Sequence, residues 1–281
     1  MQTGSCRFAC AGLPGRVGGL ALARICLAAC LILGADLVPR TARAADAPGV
    51  GSALEDLKLY FTAPLRWDEE DWLYFGGALA AIGAAHQFDE RVRAHFAPAG
   101  PGALNGGQDK NSLRDALPAI AIVAGTGLYA DFTSDSDGYR ETWALVEAGV
   151  LSTATGEILG YAAGRERPDA TSSPNEWRQG GDSFPSLHAT AAFAIGTVFA
   201  ESGNDEYRWI RRIIGYGMAG ATAYVRVKEN VHWLSDTVAG SALGIATARF
   251  VLNRQDAEPR GSVQFQPTKN GWMLSYSLRT H

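Results

Sequence analysis

The 281-residue chain has only four cysteines, and all of them (Cys6, Cys10, Cys26 and Cys30) fall in the first 30 residues. The rest of the chain therefore has no disulfide framework and no cysteine-ligated metal. Basic blocks are missing as well, which argues against nucleic acid as a partner. So are long hydrophobic runs. A membrane span wants about 20 apolar residues. Beyond residue 44 the longest stretch free of Asp, Glu, Lys and Arg is 183–200, 18 residues that include Pro185 and His188. The next are 17 residues (72–88) and 15 residues (116–130). Mean hydropathy is −0.05, which argues against a polytopic membrane protein. A helix apolar all round also suits the centre of a soluble bundle. The length test therefore favours a soluble or peripheral bundle, with an embedded, membrane-associated one as the alternative. At 47 % hydrophobic and 19 % charged residues, the chain has enough apolar material for a sizeable core and is not a disordered or linker protein.

The cysteine-bearing end reads as an export segment. Arg7, Arg16 and Arg24 give a positive start, residues 25–38 are mostly apolar, and Ala42-Arg43-Ala44 fits a small-x-small cleavage site. We assign residues 1–44 to a signal peptide and 45–64 to a leader. Leu27-Ala28-Ala29-Cys30 also has the form of a lipobox, and an uncleaved anchor helix is a third reading. Removal of 1–44 takes away five Arg and one Asp and leaves 20 Lys+Arg against 28 Asp+Glu, a net charge of −8. The expected destination is outside the cytoplasm, in the periplasm, either soluble or associated with the inner membrane with the site facing the periplasm.

The body reads as helices. After a short helix in the leader, the pattern predicts helices over 72–88, 113–130, 141–164, 187–202, 209–224 and 235–252. Acidic residues 68–71 precede the first, where the helix dipole favours them. Residues 97–112, 131–138 and 168–184 read as loops. In the tail, 263–266 and 272–278 flank Lys269-Asn270-Gly271, a hairpin signal. The expected architecture is all-α, a bundle of about six core helices over residues 65–252, with a tail at 253–281 carrying a short C-terminal β-hairpin.

Some features are set aside. Asp135-Ser136-Asp137-Gly138 resembles a calcium loop, but Ala144 stands where the closing Glu belongs. His86 and His95 lack partners at metal spacing and read as surface or core histidines. Gly156, Gly160 and Gly164 form one helix stripe suited to close helix–helix approach.

Three pieces carry chemistry: Arg167-Pro168, closing the third core helix; 183–188, Ser-Phe-Pro-Ser-Leu-His, opening the fourth; and Arg226, His232 and Asp236 before the sixth. A loop running into a helix N-terminus presents free N–H groups to an anion. Ser186 adds a hydroxyl beside those amides, including that of Leu187. Arg167 and Arg226 can hold phosphate oxygens through planar forks. If 232–236 is helical, His232 and Asp236 share a face. Asp236 then accepts from one ring nitrogen and leaves the other as a nucleophile. His188 is placed to protonate a leaving oxygen. The set amounts to a metal-free phosphoryl-transfer site with no cofactor.

In order and spacing, this combination resembles the type 2 phosphatidic acid phosphatase/haloperoxidase superfamily. The pattern runs Lys, six residues, Arg-Pro; then Pro-Ser-Gly-His; then Ser-Arg, five residues, His, three residues, Asp; this chain keeps eight of those eleven positions, Arg167, Pro168, Pro185, Ser186, His188, Arg226, His232 and Asp236. Gly160, Leu187 and Val225 stand in place of the Lys, Gly and Ser. Leu187 still offers its backbone N–H, whereas Gly160 removes a positive charge. The resemblance implies the helical fold of the acid phosphatases and vanadium haloperoxidases. It implies hydrolysis of a phosphomonoester or diphosphate, soluble or lipid, with a slight lean to lipid. His232 attacks phosphorus and forms a phosphohistidine. Asp236 holds its tautomer, and His188 serves as acid, then base. Arg167, Arg226, Ser186 and the Leu187 amide stabilise the equatorial oxygens. A vanadate-dependent haloperoxidase and a non-catalytic binding or structural protein on the same scaffold are the alternatives.

Overall fold

The computed structural model describes residues 50–97, 112–203, 205–256, 261–268 and 271–278. The assigned export segment, and with it the cleavage and lipobox readings, lies outside the described residues, as does most of the Gly/Pro-rich loop 97–112.

Eight α-helices appear among the described residues: α1 (Val50–Thr62), α2 (Glu69–His86), α3 (Asp89–Phe96), α4 (Ser112–Thr133), α5 (Ser136–Ala163), α6 (Leu187–Glu201), α7 (Arg208–Lys228) and α8 (Leu234–Asp256). An antiparallel hairpin follows, β1 (Gly261–Thr268) with β2 (Gly271–Leu278), in a register that pairs Phe265 with Leu274. The all-α bundle with its terminal hairpin is the architecture expected.

Local chemistry sets the helix ends. Asp68 caps α2 in a reciprocal capping box with Asp71. Asp135 caps α5 by accepting from the Asp137 N–H. That cap starts α5 at Ser136, five residues earlier than the apolar pattern suggested, and shortens the expected loop 131–138. At its other end α5 stops at Ala163 on a left-handed Gly164 (φ 55°), whose N–H bonds the Gly160 carbonyl. Arg167 therefore lies in the loop beyond α5 and does not close it. The pattern also missed α3, eight residues of which four are charged, with only Val92 and Phe96 as a short apolar pair on one face.

The helix α6 is the centre of the bundle. It packs against α5, α7 and α8, with α4 beside it and α2 laid on the outside of α8. Ala144, Leu145, Ala148 and Leu151 of α5 meet Ala194, Ile195 and Val198 of α6 and Ala248 and Val251 of α8. Small residues let the backbones close in. A Cβ on Gly244 would lie 2.4 Å from the Thr190 carbonyl oxygen, so α8 rests directly on α6. The helix α1 is tied to α8 by Tyr60 with Thr247 (2.7 Å) and by Arg254 with Asp56 (2.8 Å).

The core helices run alternately up and down. One end of the bundle gathers the end of α2, the start of α4, the end of α5, the start of α6, the end of α7 and the start of α8. The three chemical motifs sit at that end.

Candidate active site

The site is built from loops between helix ends. Ser186 caps α6, its side chain accepting from the Ala189 N–H at 3.5 Å. Its own N–H donates to the Asp236 carbonyl at 3.1 Å, which pins the start of α6 to the start of α8. Leu187 and His188 are the first two residues of α6 and are half-buried. The loop before them rests on α5. A Cβ on Gly156 would meet the Leu187 side chain at 2.7 Å, and one on Gly160 the Phe184 carbonyl at 3.2 Å. The glycine stripe thus admits this loop, where the sequence suggested a neighbouring helix. It also gives a physical reason for the missing Lys, since position 160 faces backbone.

Segment 229–233 folds back beyond α7, the N–H groups of Val231 and His232 both donating to the Arg226 carbonyl. Helix α8 begins only at Leu234, so His232 is not helical. The expected helix-face pair with Asp236 is consequently absent. His232 Nδ1 lies 3.8 Å from the Asp236 carboxylate but 2.7 Å from the Ser183 carbonyl oxygen. Nδ1 donates to that carbonyl, and Nε2 is left with its lone pair. Burial holds His232 well below the usual histidine range, and the charges of Arg167, Arg226 and His188 push the same way. The ring is therefore neutral at physiological pH.

Asp236 is fully buried and accepts from Ser183 Oγ (2.5 Å), the Trp233 N–H (2.9 Å) and Arg165 Nη1 (2.5 Å). Burial pushes its carboxyl up to about 6, against the lowering pull of Arg165. Its side chain positions Ser183, and through Ser183 the ring of His232.

The two arginines keep carboxylate company. Arg167 forks onto Asp182 through Nε (2.7 Å) and Nη2 (3.1 Å) and donates from Nη1 to the Val231 carbonyl (3.3 Å). Pairing with Arg167 holds the solvent-exposed Asp182 carboxyl below the usual carboxylate range. Arg226 is fully buried and donates to Asp115 of α4 at 2.7 Å. Beside it Arg114 pairs with Glu229 at 2.5 Å. Together these contacts gather Arg167, Ser186, Arg226, His232 and Asp236 at one end of the bundle, with Leu187 and His188 on the helix start above them. The chemistry available is anion binding by two guanidinium groups and a helix N-terminus, beside an unprotonated imidazole nitrogen.

Sequence reasoning missed Ser183, Asp182, Asp115, Asp89 and the true position of Arg165. Ser183 and Asp182 adjoin the Pro-Ser-Leu-His motif and carried that signal. Asp115 and Asp89 lie far from the motifs in sequence, and nothing local marked them. Arg165 is turned into the protein and is fully buried. Lys228, two residues past Arg226, is exposed at the last residue of α7.

Residues 141–260 match the model of the PAP2 superfamily. Among curated proteins, the lipid A 1-phosphatase of Porphyromonas gingivalis is 36 % identical over 85 residues, 30 % of this chain and 17 % of that protein. A PA-phosphatase related-family protein of Dictyostelium discoideum is 26 % identical over 151 residues, 48 % of this chain and 55 % of that one. The matches thus span from about a sixth to about half of those relatives' lengths. Among solved structures, the transmembrane PAP2 type phosphatidylglycerolphosphate phosphatase of Bacillus subtilis aligns at 18 % identity with a TM-score of 0.37, covering 84 % of this chain and 97 % of that one.

Proposed function

The chain belongs to the PAP2 superfamily, and on that premise we propose that it is a metal-independent phosphatase acting on a phosphomonoester or diphosphate of a lipid. The observation that carries this reading is His232: buried, neutral, its Nδ1 engaged by the Ser183 carbonyl and its Nε2 available beside Arg167 and Arg226. Nε2 attacks phosphorus and the bond to the ester oxygen breaks. The leaving oxygen takes a proton from His188. His188 then accepts a proton from water, whose oxygen attacks the phosphohistidine. The P–N bond breaks, and inorganic phosphate leaves with His232 restored. Arg167, Arg226, Ser186 and the Leu187 N–H hold the phosphoryl oxygens as charge builds. The positive charge that a divalent ion supplies elsewhere comes from the two guanidinium groups.

The relatives support a lipid phosphate, one being named for lipid A 1-phosphate and the other for PA-phosphatase. The exposed apolar side chains of α2, α4 and α7 support action at a bilayer surface. We place the site on the periplasmic side after export.

The test is release of inorganic phosphate, in EDTA, from phosphatidate, undecaprenyl diphosphate and p-nitrophenyl phosphate. Turnover of a lipid substrate that survives EDTA and is lost in His232→Ala is the expected result. No release from any of the three, or release only with added divalent ion, would overturn the reading.

A further inference from the structure

Arg165 stands two residues before Arg167, yet its fork serves the opposite side of the loop. It is fully buried. Nη1 donates to Asp236 (2.5 Å) and to Ser235 Oγ (2.8 Å). Nη2 donates to Asp89 Oδ2 and to the Pro174 carbonyl, both at 2.8 Å, and Nε donates to the same carbonyl at 3.0 Å. A guanidinium has five N–H donors, and these bonds use all of them. The group lies over the rings of Trp177 (4.5 Å) and Trp233 (5.3 Å). Nothing of Arg165 is left to meet a phosphate.

What Arg165 does hold is Ser183. The Ser183 N–H donates to the Arg165 carbonyl at 3.0 Å, and Ser183 Oγ donates at 2.5 Å to Asp236, which Arg165 grips. The carbonyl between those two anchors receives His232 Nδ1–H. The network reaches Asp89 on α3, buried and outside residues 141–260, with His86 Nδ1 beside both Asp89 (2.9 Å) and Arg165 (3.1 Å). The Asp89 carboxylate takes the other arm of the Arg165 fork as well as the N–H (2.8 Å) and hydroxyl (2.6 Å) of Ser235 at the start of α8. One planar fork thus sets the distance between two buried carboxylates, which a point charge could not do.

We propose that Arg165, braced by Asp89, is a positioning residue that keeps His232 in its Nδ1–H tautomer by way of Asp236 and Ser183. Arg165 touches no reacting atom. Its effect reaches chemistry as the fraction of His232 that presents a bare Nε2 at the correct angle, so it appears in kcat and not in KM. The kinetic arm of this inference rests on the phosphatase reading; the tautomer itself does not.

The experiment is two-bond ¹⁵N–¹H correlation NMR of the full chain labelled at histidine nitrogen, together with kinetics on a phosphate ester. Wild type should show His232 protonated at Nδ1 and bare at Nε2. Arg165→Lys keeps the charge but loses the fork, and Asp89→Asn keeps the shape but loses the brace. Both should give a tautomer mixture and a kcat lowered about 10- to 100-fold, as for a misplaced reacting group, with KM within about twofold. Arg165→Lys leaves buried carboxylates underpaired; if it does not fold, Asp89→Asn and the milder Ser235→Ala decide. A pure Nδ1–H tautomer and wild-type kcat in folded Asp89→Asn would overturn the proposal. Wild type without turnover, but with tautomers that shift in the variants, would defeat the phosphatase reading and leave the positioning role standing.

Discussion

The proposed nucleophile, His232, would owe its reactivity to where it is buried. Desolvation and the neighbouring cations keep it neutral, and a single carbonyl decides which nitrogen carries the proton. Asp236 titrates the other way, its carboxyl raised to about 6 by burial. In stability terms, the depressed His232 contributes above its unfolded value of about 6.5 and loses that contribution as pH falls. The raised Asp236 contributes below its unfolded value of about 3.9 and loses that contribution as pH rises through about 6. For activity, protonation of Asp236 loosens its grip on Arg165 and Ser183. The profile of kcat/KM against pH should therefore climb through about 6, and this limb should flatten in the residual activity of Asp236→Asn. A limb that persists in that variant would assign the titration elsewhere. Asp182 gives a second expectation. Its carboxylate lies on the Arg167 fork that an incoming phosphate needs. Asp182→Asn should lower KM for a phosphomonoester about fivefold, a relief of about 1 kcal/mol between like charges, with kcat little changed. A raised KM would show instead that Asp182 orients Arg167 for the substrate.

At the scale of elements, the six core helices were legible because each carries a long apolar run between polar stops. The short α3 was not, its apolar face amounting to Val92 and Phe96 alone. Gly164 gave no sign of which of its two roles it plays, since a glycine stripe and a left-handed cap look alike until the chain is folded. That His232 and Asp236 lie close together was legible from their spacing, but that spacing of four suggested a shared helix, and α8 begins two residues too late to join them directly. The long-range partners, Asp89 and Asp115, are fixed by packing alone. That packing is testable at Gly240 of α8, where a Cβ would lie 2.6 Å from the Ser186 carbonyl oxygen. Gly240→Ala should cost about 1–3 kcal/mol through overpacking and should reduce activity by displacing the Ser186 cap. Unchanged thermal unfolding in Gly240→Ala would contradict so close an approach of α8 to α6.

For the whole molecule, the question is what the outer surface meets. Among the described residues one helix, Leu113–Thr133, is long and apolar enough to cross a membrane by length and composition, and 17 % of that stretch is buried. Trp72, Leu73 and Tyr74 on α2, Leu117 and Tyr129 on α4, and Trp209 and Ile213 on α7 are all more than half exposed. These exposed apolar side chains support the proposed action at a bilayer. The protein should float with phosphatidylglycerol vesicles, and Trp72→Ser combined with Trp209→Ser should weaken flotation without loss of fold; wild type left wholly in the vesicle-free fraction would contradict action at a bilayer. The central claim is a covalent phosphoryl group on His232. The most direct measurement is a rapid quench of the whole chain with ³²P-labelled phosphate ester. The expected result is one base-stable, acid-labile phosphoryl group per chain, absent in His232→Ala; an acid-stable label, or a label that survives His232→Ala, would contradict it.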